Sequence, residues 1–290
     1  MRRLGRIRSF HVVFLVLLAC SAWAEVCKGN KVPRAELAQY DADLVLSSGD
    51  REAILQTHLP WGEPACPKVL MQREYVLCYD PVHRIPVWAA YQLRAQDIVP
   101  AKRLDAFRSD PRLSPEENAA CADYAASGYD RGHLVPRDDM NRFPAAQANT
   151  FYLSNMTPQV PAFNRGSWEQ LERFVRAYAK RHSEIYVLTG DILGGQVRWV
   201  PSGRVAVPTL FYKVLLRTSP EGVPEVLTIL LPNRPPEAGP EGARQQRSAA
   251  ADAYLAAHTT NVREVERLTG LDLLPKLNPD TLKSWSPPNL

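Results

Sequence analysis

Asp130-Arg131-Gly132-His133, with Asn164 31 positions beyond the histidine, gathers three kinds of chemistry into a short stretch of chain. His133 titrates near neutral pH and can take a proton from water. Arg131 can pair with a phosphate through two parallel hydrogen bonds. Asn164 offers a neutral, hard oxygen, and Glu172 and Arg176 further along supply a carboxylate and a second cation. Metal-assisted cleavage of a phosphodiester needs such parts: a base for water, positive charge on the non-bridging oxygens, and help for the departing oxygen. Each residue also has an ordinary reading. A histidine beside an arginine can be a buried structural pair, an asparagine can be a turn residue, and Glu172 with Arg176 can be a solvated helix pair.

The histidine count narrows the metal. Beyond the first 24 residues the chain keeps His58, His83, His133, His182 and His258, and no two are spaced as zinc ligands on a helix. Asn164 and Glu172 suit magnesium instead, an ion that keeps most of its waters and needs few protein ligands. Mn²⁺ is the alternative ion.

These residues need elements to position them. Ser167 with Gln170 reads as a capping box, and Trp168, Leu171, Val175 and Tyr178 recur at helical spacing to give a buried stripe. Asn164 is then expected in a loop three residues ahead of the cap, with Glu172 and Arg176 on the flank of the stripe. Tyr75–Tyr79 and Val87–Leu93 read as an antiparallel hairpin, with further strands at Ile185–Thr189, Leu210–Leu216 and Val226–Leu231. Late helices are expected over Ser248–Ala257 and from Asn261, capped with Glu264 and stopped by Gly270. Asn233–Arg247, rich in Pro, Gly and charge, reads as a mobile surface loop. Separate helices and antiparallel strands make the fold class α+β.

Residues 1–24 have the pattern of a secretory signal: Arg2, Arg3, Arg6 and Arg8, an apolar stretch from Val12 to Ala19, then Ala22-Trp23-Ala24 as a cleavage site. Export to a periplasm or the medium is expected. Leu17-Leu18-Ala19-Cys20 resembles a lipobox, so a lipid anchor at Cys20 in the envelope is the alternative. Three segments follow: the signal at 1–24, a polar helical arm at 25–57, and one domain over 58–290. The whole chain has 35 basic and 31 acidic residues, and the four leader arginines account for the difference. A near-neutral mature protein excludes binding of polyanions by bulk charge, so any such binding needs a local patch. Cys27, Cys66, Cys78 and Cys121 are an even set in an exported chain and favour two disulfides, with three pairings open. Cys27 with Cys66 and Cys78 with Cys121 is the expected pairing, because the first would tie the arm to the body.

Three motifs occur in order: Tyr129-Asp130-Arg131-Gly132-His133-Leu134-Val135-Pro136, Asn155-Met156-Thr157-Pro158-Gln159, and Asn164-Arg165-Gly166-Ser167-Trp168-Glu169-Gln170-Leu171-Glu172. Together they resemble the DNA/RNA non-specific endonuclease family. Leu59-Pro60-Trp61-Gly62, Asp110-Pro111, Thr189-Gly190-Asp191 and Leu268-Thr269-Gly270-Leu271-Asp272 fit as well, so that the likeness runs over about residues 58–275. The resemblance implies a ββα-metal (His-Me finger) fold with a central antiparallel sheet flanked by helices. It implies His133 as general base, Asn164 as sole direct protein ligand of a hydrated Mg²⁺, and Glu172 holding metal-bound waters. Arg131 and Arg176 would neutralise the phosphate, and the products would carry 5′-phosphates. An upstream arginine is also implied; Arg103 is a candidate, but its spacing to Asp110-Pro111 departs from the pattern and it is left out of the expected site.

DNA and RNA are the implied partners, contacted through a backbone that both share. A homodimer is left open. Two other readings compete: a catalytically inactive nucleic-acid-binding protein on the same scaffold, and a structural envelope protein in which the motif residues only pack and cap.

Overall fold

The computed structural model describes residues 24–235, 244–277 and 283–284. The leader with Cys20, and residues 236–243 of the expected surface loop, lie outside the described residues. The polar arm forms two helices, α1 (Arg34–Ala42) and α2 (Ser48–His58), the second started by a reciprocal capping box between Ser47 and Asp50.

A large sheet follows. Its strands are β1 (Lys68–Met71), β2 (Val76–Asp80), β3 (Ile85–Arg94), β6 (Glu184–Ile192), β9 (Leu210–Thr218), β10 (Pro224–Pro232), β11 (Thr259–Thr260) and β12 (Lys283–Ser284). Their order is β1-β2-β3-β6-β9-β10-β11, antiparallel throughout, with β12 added parallel to β10. The expected hairpin is β2–β3, and the three later strands are β6, β9 and β10. Outside this sheet stand two short ribbons, β4 (Asp130–His133) with β5 (Met156–Gln159), and β7 (Arg198–Trp199) with β8 (Ala206–Val207).

Both faces of the sheet are covered, which is why its strands are apolar on both sides. Alternation along β9 sorts the layers: Phe211 and Leu215 pack with the core under helix α3 (Glu169–His182), while Tyr212, Val214 and Leu216 face the opposite core. That opposite core is closed by Ile54 of α2 and by Val262 and Val265 of α5 (Val262–Thr269). In the chain α4 (Arg244–Ala257) comes between β10 and β11, and its Leu255 packs in the core under α3. Asn261 caps α5 by accepting from the Glu264 amide at 3.0 Å, and Gly270 ends it at φ 71°. A third core joins the arm to the β4–β5 ribbon through Cys27, Leu37, Phe107, Phe151 and Met156.

The disulfides correct the expected pairing. Cys27 bonds Cys121, and Cys66 bonds Cys78. Antiparallel pairing sets Val69 opposite Cys78 and so returns the segment before β1 to β2, where Cys66 meets Cys78. The arm is tied to the body as expected, but through Cys121.

Candidate active site

Strand β4 is the Asp130–His133 motif itself, paired with β5 in the register Asp130↔Gln159 to His133↔Met156. A ribbon of four-residue strands holding a glycine and a proline has little stability alone. Asn155 supplies support at its end: its Oδ1 accepts from the Val135 amide at 3.0 Å, and its Nδ2 donates to the Val135 and Thr150 carbonyls. Gly132 is required by its neighbour, since a Cβ there would overlap the Gln159 side chain.

The His133 ring packs edge-on to Phe107 and Phe151, with centroids 5.8 and 4.8 Å away, and its carbonyl accepts from the Trp168 indole at 3.3 Å. Its Nε2 is buried and has no hydrogen-bond partner. Burial first, then the charges of Arg103, Arg137 and Arg131, push the imidazole pKa down to about 3. The ring is therefore neutral at neutral pH, the form that can accept a proton.

Four arginines line the cleft beside this ring: Arg103, Arg131, Arg137 and Arg165. Three are paired, Arg103 with Asp105, Arg137 with Asp138 and Arg165 with Asp130. Arg131 has no carboxylate partner among the described residues. Its guanidinium lies 3.8 Å above the Phe107 ring, an arrangement that holds the plane and leaves its N–H edge open.

The element that carries Asn164 differs from the expected loop and cap. The helix begins earlier, with Pro161 at its first position, passes through a π-helical turn over Asn164–Trp168, and continues as α3. Ser167 is consequently interior and buried, with no partner for its hydroxyl, and caps nothing. Asn164 opens the π turn, a distortion common at functional sites. Its Nδ2 donates to Asp130 Oδ2 at 2.9 Å, and Arg165 holds the same carboxylate at 2.8 and 2.6 Å. An ionised carboxylate only accepts, so the amide nitrogen must face Asp130 and the Oδ1 oxygen is left for another partner.

Glu172 lies two turns along the helix and lines the same cleft, whose volume is about 240 Å³. Burial raises its carboxyl pKa to about 7, opposed by the charge of Lys213. Arg176 is not among the lining side chains: it pairs with buried Asp139 at 3.0 Å, and Tyr91 donates to the other oxygen of that carboxylate at 2.7 Å. The fold therefore brings His133, Arg131, Asn164 and Glu172 into one cleft and sets Arg176 behind it.

Several participants escaped the sequence reading. Arg103, set aside there, lines the cleft. Lys213 is fully buried on β9, donates to Thr189 Oγ1 at 3.2 Å and lies 4.5 Å from the Trp168 ring. Its signal was available, a lysine inside an otherwise apolar strand. Asp139 and Phe107 carried no comparable mark.

The donors fit a hydrated hard cation. One neutral oxygen at Asn164 and carboxylates at Asp138, Glu169 and Glu172 line the cleft. No group of three or more His, Cys, Asp or Glu side chains forms a cage among the described residues, so a fully protein-ligated transition metal has no matching set there.

Residues 59–280 match the model of the DNA/RNA non-specific endonuclease family. The chain belongs to this family. Human mitochondrial endonuclease G is 35% identical over 187 residues, 60% of this chain and 63% of that protein. The chain thus spans less than two thirds of that relative. Nuclease C1 of Cunninghamella echinulata is 32% identical over 250 residues, 81% of this chain and 92% of the relative. A crystal structure of the EndoG/EndoGI complex superposes with a TM-score of 0.71 at 27% identity, covering 84% of this chain and 99% of that one. The ribbon β4–β5 followed by a helix is the ββα-metal arrangement of this nuclease family, here set on a central antiparallel sheet.

Proposed function

We propose that the protein is an exported, Mg²⁺-dependent endonuclease that hydrolyses DNA and RNA without sequence preference and leaves 5′-phosphate ends. The observation that carries this reading is the meeting, in one cleft, of a neutral histidine with an arginine and an asparagine oxygen that have no carboxylate or hydrogen-bond partner among the described residues. His133 takes a proton from water as its oxygen attacks phosphorus; the bond to the 3′ oxygen breaks, and that oxygen leaves with the electron pair and takes a proton from solvent to become the 3′-hydroxyl. Arg131 holds the non-bridging oxygens on its open N–H edge and gains strength as their charge rises. Asn164 Oδ1 would hold the cation directly, with Glu172 accepting from its waters. When bound there, the ion supplies positive charge to the phosphate and to the departing oxygen. Arg176 adds positive charge from behind the cleft, oriented by Asp139. Export is supported by the leader pattern and the two disulfides.

The test compares fold and turnover in one variant. Plasmid nicking and RNA cleavage should require Mg²⁺ and stop with EDTA. His133→Gln, which keeps most of the packed volume, should lower turnover by about 10²–10⁴-fold while the protein keeps a cooperative thermal melt. Intact plasmid and RNA after treatment with folded wild-type protein and Mg²⁺ would sink the reading.

A further inference from the structure

Arg131 has two sides. One faces the catalytic cleft, and the other closes a second cavity of about 340 Å³ whose walls include Glu25, Lys28, Tyr124, Ala125 and the Cys27–Cys121 disulfide. Nothing in the proposed chemistry uses this space. One wall, Glu25, Cys27 and Lys28, comes from the N-terminal arm, which precedes the family match at residue 59, and the rest comes from Cys121–Ala125 and Arg131.

The arm here is a fixed wall. Cys27 is bonded to Cys121 and donates its amide to the Phe107 carbonyl at 3.0 Å. The amide of Ser109 donates to the Glu25 carbonyl at 2.8 Å, and Lys31 donates to the Asp105 carbonyl at 3.2 Å. A turn closed from Asn30 N to Cys27 O at 3.1 Å, with Gly29 at φ 90°, presents Lys28. Lys28 is exposed and has no ion pair among the described residues. Glu25 is the one acid on the cavity wall, and its Oε2 accepts from the Cys121 amide at 3.0 Å. Phe107 links both cavities, since its carbonyl holds Cys27 and its ring carries the Arg131 guanidinium.

Two cations with no carboxylate partner among the described residues thus stand on a rigid wall that continues the catalytic cleft. On the reading of that cleft as a nuclease site, we infer that the arm cavity is a substrate subsite. It takes the nucleotide beside the scissile phosphate, with Lys28 pairing the flanking phosphate of a DNA or RNA strand and Arg131 standing between the two positions. A phosphate contact of this kind positions the strand and reads no base.

Binding of a fluorescent single-stranded oligonucleotide in EDTA, where cleavage stops, measures the contact directly across a salt series. Lys28→Ala should weaken affinity several-fold for any base sequence and flatten the dependence of log K on log salt by about 0.7. Lys28→Glu should weaken it further, and Lys28→Arg should restore it. The control is Arg267→Ala, which removes an equal charge from α5 on the opposite face of the sheet and should change neither quantity. Equal behaviour of Lys28→Ala and Arg267→Ala overturns the subsite. The parent reading fails separately: wild type that binds in a Lys28-dependent way yet leaves plasmid uncut in Mg²⁺ keeps the subsite and loses the nuclease. Cutting with Lys28-independent binding does the reverse.

Discussion

Asp130 and His133 close the two ends of one four-residue strand, and each prepares a different half of the site. Asp130 fixes the Asn164 amide so that its oxygen is the free end, and Arg165 holds Asp130 in place. His133 is kept neutral by burial and by three nearby guanidiniums, and that has a cost at low pH. An unfolded chain carries an ordinary histidine with a pKa of about 6.5. Between that value and the folded value of about 3, the unfolded chain binds a proton that the folded one does not. The contribution of His133 to stability is therefore complete above pH about 6.5 and declines as pH falls toward about 3. Glu172 acts in the opposite sense: its carboxyl is raised to about 7, so its contribution declines as pH rises from its unfolded value toward that one. Comparing variants separates the two. Thermal melts of His133→Gln should fall less steeply than wild type between pH about 6.5 and 4, and parallel curves would contradict the burial argument.

At the scale of elements, local pattern revealed what local pattern determines. Apolar runs marked β2, β3, β6, β9 and β10, and the stripe Trp168, Leu171, Val175 and Tyr178 marked α3, because buried faces must repeat with the period of the element. Ser167 and Gln170 imitate a cap, while Pro161 begins the helix and the π turn carries it past Ser167. For Lys213 the strand and the lysine within it were legible, but the face on which that charge falls depends on the neighbours of β9. Ribbon β4–β5 shows no periodicity at all and exists through Asn155, Gln159 and the fit of Gly132. Gly132→Ala tests that dependence. The added methyl meets Gln159 in a packed interior, so unfolding in urea should show a loss of about 1–3 kcal/mol. Turnover measured where the variant is still fully folded should fall as well, because Arg131 and His133 flank the displaced residue. Unchanged nicking beside lowered stability would mean that the ribbon tolerates the shift without moving its functional side chains.

At the scale of the whole molecule, two of the three cores already include arm residues, Cys27 and Leu37 in one and Ile54 in another, and polar and covalent ties add to them. Buried Arg108 contributes, donating to Asp41 of α1 at 2.8 Å and to the Ala148 carbonyl at 2.8 Å while lying 3.9 Å from the Tyr152 ring. The covalent tie is Cys27–Cys121, which spans 94 residues, against 12 for Cys66–Cys78. A closed loop restricts the unfolded chain more as it lengthens, and the two spans correspond to about 4.7 and about 3 kcal/mol in the chain-entropy treatment. Which cysteines would meet was illegible in the sequence, since it depends on the return of β1 along β2 and on the arm lying against Phe107. Function should separate the bonds more sharply than stability does. Replacing Cys66 and Cys78 by alanine should lower the urea midpoint and leave kcat/KM on plasmid near wild type, because that bond fastens a sheet edge away from the cleft. Replacing Cys27 and Cys121 should lower the midpoint further and also weaken strand binding under conditions where the protein is folded, because Phe107 then loses the neighbour that fixes it beneath Arg131. Equal binding by the two double variants would show that the non-covalent contacts of Arg108 and Lys31 hold the arm unaided.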